Sequence, residues 1–235
     1  PGDNQGNKDG EIMAKGKLII IEAGDGSGKA TQTKALYEHL QADGRRVRRV
    51  EFPDYGSDSS ALVRMYLGGA FGEKAADVNA YAASTFFAVD RYASFRLKWQ
   101  ADYEDGGIIL ADRYTTSNMV HQAVKLTDPQ EREAFLAWLW DFEFGKLGLP
   151  VPDMVIFLDM DPAVADRLIA ARAEAKGTSK DIHERDTGYL HRCHRAYTEL
   201  AAKYGWQRVA CSEQGEPRAV EIIHQEVYGR VNSIL

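Results

Sequence analysis

Four residues near the start of the chain have the types and the spacing of a phosphate-binding loop. They are Gly24, Gly26, Gly28 and Lys29. The glycines allow the backbone to turn its N–H groups inward around an anion, and the lysine adds a positive charge. A β-branched run at residues 18–21 precedes them, and the pattern predicts a helix at residues 29–42. Because a helix N-terminus also attracts anions, this stretch predicts a nucleotide-phosphate site.

The loop departs at both ends from the common nucleotide-binding pattern G-x-x-x-x-G-K-[ST]. Ala23 stands in the place of the first glycine, and Ala30 in the place of the hydroxyl residue that usually binds Mg²⁺. Thr31 carries a hydroxyl one position late. A strand, a glycine loop and a helix still follow one another in order, which favours a nucleotide site over a simple glycine-rich turn.

Bulk composition predicts an ordinary globular protein. The 235 residues are 44% hydrophobic and 27% charged, which suits one α/β domain with a substantial core. The net charge of −6 argues against broad electrostatic binding to nucleic acid or to an anionic membrane. Cys193 and Cys211 lack metal-ligand or redox spacing, so we expect a reducing cytoplasm. No apolar run approaches the roughly 20 residues of a membrane span.

Strands alternate with helices along the chain, which predicts a five-stranded parallel sheet. The predicted strands are 18–21, 46–52, 108–111, 154–158 and 206–210. The predicted helices are 29–42, 60–68, 77–99, 117–123, 129–144, 162–173, 187–204 and 217–231. We expect a single domain at residues 16–235. Residues 1–15 are expected to be a disordered segment, with Met13 as the natural start behind an appended remnant.

Polar clusters follow the first three predicted strands, at the edge of a parallel sheet where ligands bind. The clusters and related motifs are Asp25-Gly26-Ser27-Gly28-Lys29-Ala30-Thr31-Gln32, Phe52-Pro53, Phe87-Ala88-Val89-Asp90-Arg91, Asp112-Arg113-Tyr114-Thr115-Thr116-Ser117, Gln122 and Glu184-Arg185-Asp186. In this order they resemble the thymidylate kinase family, over residues 16–212. Apart from the phosphate loop each motif is weak alone, and their order makes the set specific.

The resemblance implies a P-loop NTPase fold and transfer of the ATP γ-phosphate to dTMP, which gives dTDP and ADP for dTTP synthesis. It also implies a homodimer, a small lid at about residues 172–186, and Mg²⁺ bound with ATP. The ATP phosphates would lie on the loop formed by Gly24, Asp25, Gly26, Ser27, Gly28, Lys29, Ala30 and Thr31. Since Ala30 has no ligating oxygen, we expect phosphates and water to hold the metal, with Asp112 reaching it through water. The alternative for Asp112 is a loop-capping role.

The acceptor is a phosphate monoester, which needs positioning cations more than a general base. The resemblance assigns Arg113 to the dTMP phosphate and Arg91 to the thymine edge. Phe87 lies four residues before Arg91 on one helical face, where its ring would stack on the base. The full set implied for dTMP is Asp25, Phe52, Pro53, Tyr55, Arg64, Phe87, Arg91, Arg113, Asn118, His121, Gln122 and Asp186. Packing alone remains an alternative for the aromatic residues, and a solvated surface charge for Arg91.

His121 is a departure, because many relatives carry tyrosine there against the deoxyribose. It shares one helix face with Asn118 and Gln122. Its role is left open.

Phosphoryl transfer also requires cations around the moving group. The predicted catalytic residues are Lys29, Asp112, Arg113 and Arg172. Arg172 is chosen because it ends a helix that enters a polar, glycine-containing segment able to close over ATP. Lys176 and Lys180 share this segment, where a solvated charged loop is equally open.

Two other functions remain possible. A deoxynucleoside kinase would need a carboxylate base near the end of the second strand, where Glu51 lies. A non-enzymatic nucleotide switch would need an Asn-Lys-x-Asp motif downstream of the loop, and the sequence has none there.

Overall fold

The computed structural model describes residues 15–176 and 187–235, without the side chains of residues 172–176 and Thr187. Five strands form one parallel sheet, in the order β2-β3-β1-β4-β5. They are β1 (Lys17–Ala23), β2 (Val47–Glu51), β3 (Ile108–Asp112), β4 (Met154–Asp159) and β5 (Gln207–Ala210). The predicted five-stranded parallel sheet is confirmed.

Helices cover both faces of this sheet. They are α1 (Lys29–Ala42), α2 (Ala61–Leu67), α3 (Ala80–Ser94), α4 (Gln100–Glu104), α5 (Thr115–His121), α6 (Pro129–Trp140), α7 (Pro162–Lys176), α8 (Thr187–Tyr204) and α9 (Val220–Asn232). Leu18 and Ile20 of β1 pack in one buried cluster with α3, α5, α6 and α8. Ile19 and Ile21 pack in the other, with α1 and α9. Burial on both faces explains why β1 is a continuous apolar run.

Two of the predicted helices, 77–99 and 129–144, are interrupted. α3 begins at Ala80, where the Asn79 side chain accepts a hydrogen bond from Ala82 N at 2.8 Å, and not at residue 77. A π-helical segment, Phe95–Trp99, follows it and leads into α4. A second π-helical segment, Asp141–Lys146, follows α6, so the predicted helix at 129–144 was too long. Neither segment begins at a glycine or a proline that would mark a break, so both escaped prediction.

A small hairpin also escaped prediction. Its strands are β6 (Ser212–Glu213) and β7 (Glu216–Pro217), and they pair antiparallel. α9 therefore starts three residues later than the predicted position, 217. α8 has the predicted bounds. Tyr204, its last residue, is 36% exposed, whereas Tyr189 near its start is buried.

The register of β1 against β3 sets up the functional edge of the sheet. Ile21 pairs with Asp112, and Arg113 N donates to Ile21 O at 3.1 Å. The loop after β1 and the polar cluster after β3 therefore leave the sheet side by side.

Several expectations lie outside the described residues. These are the state of residues 1–14, the lid loop with Lys180 and Asp186, and the side chains of Arg172 and Lys176. Among the helices of the described part, none is long and apolar enough to cross a bilayer.

Candidate active site

The phosphate loop owes its shape to glycine at two positions. Gly26 and Gly28 both have φ of 77°, a left-handed conformation that favours glycine. A Cβ on Gly26 would also lie 2.9 Å from the carbonyl oxygen of Ala165 in α7. Ser27 Oγ donates to Gly24 O at 2.5 Å and closes the turn. The loop leads directly into α1 at Lys29, so the N-terminal N–H groups of that helix face the same space.

Lys29 and Asp112 form an ion pair between the loop and the end of β3. Both side chains are more than four-fifths buried. Burial, and after it the Arg113 guanidinium, lower the pKa of the Lys29 ammonium to about 7. The carboxylates of Glu22 and Asp25 act in the opposite direction. Anionic phosphates bound in the loop would restore the charged form of Lys29.

Arg113 has an unusual backbone conformation, and its side chain makes several contacts. Its φ of 66° is rare for a non-glycine residue and turns the chain sharply after β3. Its Nη2 lies 3.1 Å from Asp25 Oδ1, and its Nη1 lies 3.4 Å from both Ser117 Oγ and Tyr197 Oη. Although burial opposes the charge, Tyr197, Asp25 and Glu22 together raise the pKa of Arg113. The guanidinium is a fixed cation beside the loop.

Glu22 is a functional candidate that the sequence reasoning missed. Its buried carboxylate accepts from Thr116 Oγ1 at 2.5 Å, Ser117 Oγ at 2.9 Å and Tyr197 Oη at 3.0 Å. Two of these donors, Ser117 and Tyr197, also contact Arg113. Glu22 therefore fixes the surroundings of that arginine. The sequence signal that could have identified Glu22 was a single acidic residue in the apolar strand β1.

A cavity of about 190 Å³ opens between the loops that follow β1, β2 and β3. Eight of the residues predicted for the acceptor line it: Asp25, Phe52, Pro53, Tyr55, Phe87, Arg91, Arg113 and His121. Leu67, Tyr114 and Ser117 line it too. The peptide bond between Phe52 and Pro53 is cis. Two arginines and four aromatic side chains thus share one space.

Three residues predicted for the acceptor do not line this cavity. Arg64 donates from Nη1 to the carbonyl oxygens of Tyr55 and Ser57, both at 3.0 Å, and so holds the loop after β2. Asn118 and Gln122 are buried, and Asn118 Nδ2 lies 3.5 Å from Ser84 O. Their roles toward the nucleotide stay predictions.

Arg91 forms a buried ion pair that the sequence reasoning did not foresee. Its Nε donates to Glu143 Oε2 at 2.7 Å and its Nη2 to Oε1, while Thr115 Oγ1 donates to Oε2 at 2.6 Å. Arg91 is 1% and Glu143 0% exposed. Arg91 is therefore not the solvated surface charge that we kept as an alternative. Glu143 lies in the second π-helical segment, remote in sequence, so no local pattern indicated it.

Asp90, next to Arg91, fixes the loop after β2. Its Oδ2 accepts from Asp54 N at 2.8 Å and its Oδ1 from Ser59 Oγ at 2.6 Å. Asp90 therefore binds the loop after β2, whereas its neighbour Arg91 binds Glu143.

His121 joins the cavity of about 190 Å³ to α8. Its Nδ1 lies 3.4 Å from Tyr189 Oη and 3.5 Å from Cys193 Sγ, and its Nε2 lies 3.5 Å from Tyr197 Oη. Its carbonyl oxygen accepts from Tyr189 Oη at 2.7 Å. The helix that follows the predicted lid therefore packs directly on this residue.

Asp112 is the candidate metal-binding carboxylate, and the described residues provide no set of several ligands around it. Among residues 15–176 and 187–235, no group of three or more His, Cys, Asp and Glu side chains is placed to hold an ion. Asp112 is the carboxylate beside the phosphate loop. A single carboxylate fits Mg²⁺, which takes its remaining ligands from substrate phosphates and water.

Comparisons with known proteins agree on one family. A family model described as thymidylate kinase matches residues 21–226. The chain is 35% identical over 191 residues to the thymidylate kinase of Mycobacterium tuberculosis, which covers 80% of this chain and 87% of that protein. It is 28% identical over 218 residues to the human thymidylate kinase, with coverage of 91% and 88%. In structure it is similar to a thymidylate kinase from Candida albicans, with a TM-score of 0.70, 20% identity and coverage of 93% and 92%. This last likeness concerns the fold.

Proposed function

The chain belongs to the thymidylate kinase family, and from this premise we propose how its residues divide between the two substrates. The protein is an ATP-dependent phosphotransferase that passes the γ-phosphoryl group of ATP to dTMP and gives dTDP and ADP. The phosphate loop serves ATP, and the cavity of about 190 Å³ serves dTMP. The main support for assigning the two substrates in this way is that Arg113 lines the cavity and also contacts Asp25 of the phosphate loop.

The donor phosphates bind the loop and the start of α1. Backbone N–H groups of residues 26–31 surround them, and the Lys29 ammonium contacts the β- and γ-phosphates. Lys29 pairs with Asp112, and the phosphates of ATP would compete with that carboxylate for the ammonium group.

Mg²⁺ accompanies ATP in this proposal, and Asp112 orients it through water. The bound ion would neutralise charge on the transferred group. Asp112, which pairs with Lys29, would be the residue that holds the ion through water.

The acceptor nucleotide lies with its phosphate at Arg113 and its base at Phe87 and Arg91. The pair with Glu143 uses Nε and Nη2 of Arg91, and within the described part of the chain Nη1 makes no hydrogen bond. A guanidinium held on one side by a carboxylate offers this remaining edge to the base. Glu143 thereby positions Arg91.

We further propose a lid at about residues 172–186 that carries the remaining catalytic cation. The phosphate loop has Gly26 and Ser27 where some relatives place an arginine, so it adds no positive charge of its own there. Arg172 lies in α7, whose earlier residue Ala165 packs against Gly26. Arg172 would approach the transferred group when the lid closes, with Asp186 near the acceptor.

A second copy of the chain would pack on the apolar residues that α2 and α3 leave exposed. These are Leu62, Met65, Val89, Tyr92 and, in the π-helical segment after α3, Leu97, the last being 79% exposed. Exposed apolar side chains on neighbouring helices mark association surfaces. Sedimentation of the chain and of Leu97→Asp tests the homodimer: a dimer that the substitution weakens supports it, and a monomeric unsubstituted chain contradicts it.

A cytoplasmic location is supported by the cysteines. Cys193 and Cys211 are both free and buried, and burial raises the pKa of each thiol to about 12. Buried thiols that form no disulfide are typical of proteins in a reducing compartment.

The two alternative functions are not favoured. Glu51, the base that a deoxynucleoside kinase would need, is exposed at the end of β2. ADP release from ATP·Mg²⁺, measured against a panel of nucleosides and nucleoside monophosphates, tests the proposal. Turnover with dTMP supports it, turnover with a nucleoside indicates the first alternative, and turnover with none indicates the switch.

A further inference from the structure

A second cavity, of about 280 Å³, lies away from the acceptor site, between α6, α8 and the short 3₁₀ turn Ala123–Lys125. Its floor includes Met119, Leu136 and Leu200, which belong to the main buried cluster of the fold. The two helices thus separate over the core without a third element between them. In the described part of the chain, this cavity and the acceptor cavity share no lining residue.

Cationic side chains surround this second cavity. They are Arg132, Arg192, Arg195 and Lys203, with Glu133 and Glu199 as the acidic members. The balance is positive in a chain whose net charge is −6. Long basic side chains can cover apolar atoms with their stems while their charges stay at the rim.

The cations are not neutralised equally. Lys203 pairs with Glu133 and so links α8 to α6 across the cavity. Arg132 donates from Nε at 3.3 Å and from Nη2 at 3.1 Å to Leu126 O. Within residues 15–176 and 187–235, Arg195 makes no hydrogen bond or ion pair through its side chain. At least one guanidinium therefore stands over an apolar floor with its charge uncompensated by the described residues.

We propose that this second cavity binds a small anion with a flat apolar body, such as an aryl carboxylate, sulfonate or phosphate ester. The body covers the core atoms between α6 and α8, which lowers the apolar area in contact with water. The anionic group meets Arg195 and Arg192 at the rim and accepts charge-assisted hydrogen bonds from their guanidinium groups. A cavity of this size suits a small molecule rather than a helix of a partner protein.

A matched pair of fluorescent probes tests the proposal on the full chain. The probes are 8-anilinonaphthalene-1-sulfonate and its neutral analogue N-phenyl-1-naphthylamine, titrated while ADP and dTMP fill the catalytic site. We expect saturable binding of the sulfonate that ADP and dTMP do not displace. The charge-reversed variant Arg192→Glu/Arg195→Glu should weaken the sulfonate about tenfold and the neutral analogue by less than about twofold.

Two further variants complete the design. Ala196→Trp fills the cavity and should abolish binding of both probes. Arg45→Glu/Arg49→Glu makes the same charge change at exposed positions in and before β2 and should leave sulfonate binding unaltered. The proposal is overturned if the sulfonate does not saturate, if ADP and dTMP displace it, or if the Arg192/Arg195 variant binds it like the unsubstituted chain. Equal weakening by the Arg45/Arg49 variant would overturn it as well. Because the charge-reversed variants alter exposed residues, the test stands even if Ala196→Trp does not fold.

Discussion

The Arg113 guanidinium lies 3.1 Å from the Asp25 carboxylate, and this contact joins the end of β3 to the phosphate loop. Lys29 pairs with Asp112 at the end of the same strand, and Asp25 and Arg113 both line the cavity proposed for the acceptor. Two phosphates would meet between these cations. In-line phosphoryl transfer requires mainly such positioning and charge neutralisation.

The acceptor cavity predicts a preference among nucleotides. dTMP should be the preferred acceptor, dUMP the next, and thymidine inert, because thymidine has no phosphate for Arg113. Steady-state rates of ADP release across the panel check this order. Efficient phosphorylation of thymidine, or a clear preference for AMP or CMP, would be incompatible with it.

The buried pair behind the cavity predicts a large effect on stability. Glu143→Gln leaves the Arg91 charge uncompensated, and breaking a buried pair in this way lowers the free energy of unfolding by about 3–5 kcal/mol. The matched control is Glu133→Gln, which removes the exposed partner of Lys203 and should cost about 1 kcal/mol or less. Urea unfolding measures both.

A double variant separates pairing from packing. Arg91→Met/Glu143→Leu removes both charges and should be more stable than Glu143→Gln alone, while it loses affinity for dTMP. A Glu143→Gln protein as stable as the Glu133→Gln control would show that the pair is not formed as described.

Because the pKa of Lys29 is lowered, we expect ATP binding to take up a proton in mildly alkaline solution. The Lys29 pKa is lowered from 10.5 to about 7 by burial and by Arg113, so at about pH 8 this amine is largely neutral before ATP binds. Phosphate raises the pKa, and binding at that pH then draws a proton from the buffer. At about pH 6 the amine is already protonated and this contribution disappears.

Calorimetry in buffers of different ionisation enthalpy measures this proton uptake. Lys29→Arg is the control, because a guanidinium stays charged at every working pH. Equal uptake by the variant and the unsubstituted chain at about pH 8 would assign the proton to another group.

The five parallel strands and the glycine loop were predictable from the sequence because they depend on local patterns, whereas the residues assigned to the acceptor came from the resemblance to the family. β-branched runs and glycine spacing act over a few residues, and α8 has the predicted bounds. Glu143 was not predictable, since it reaches Arg91 across 52 residues from a π-helical segment. Glu22 was visible as an acid in an apolar strand, but its partners on α5 and α8 follow only from the tertiary packing.

The lid predicts a catalytic effect at Arg172. Because its contact would form mainly in the closed transition state, Arg172→Ala should lower kcat by about 10²-fold or more and change KM less. Lys176→Ala and Lys180→Ala are the comparison variants. A nearly unaltered kcat for Arg172→Ala alone would move the role to a neighbour, and unaltered values for all three would remove the lid cation from the account.

The division of donor and acceptor between Lys29 and Arg113 is tested most directly by the affinity of Arg113→Ala for each nucleotide. Calorimetric titration of the variant with dTMP and, separately, with ATP gives both values, and Arg49→Ala controls for the loss of an arginine at an exposed position. We expect dTMP binding to weaken by about 2–5 kcal/mol, the cost of removing the charged partner of a buried phosphate, while ATP binding stays nearly unaltered. Equal losses of affinity for both nucleotides would contradict the assignment.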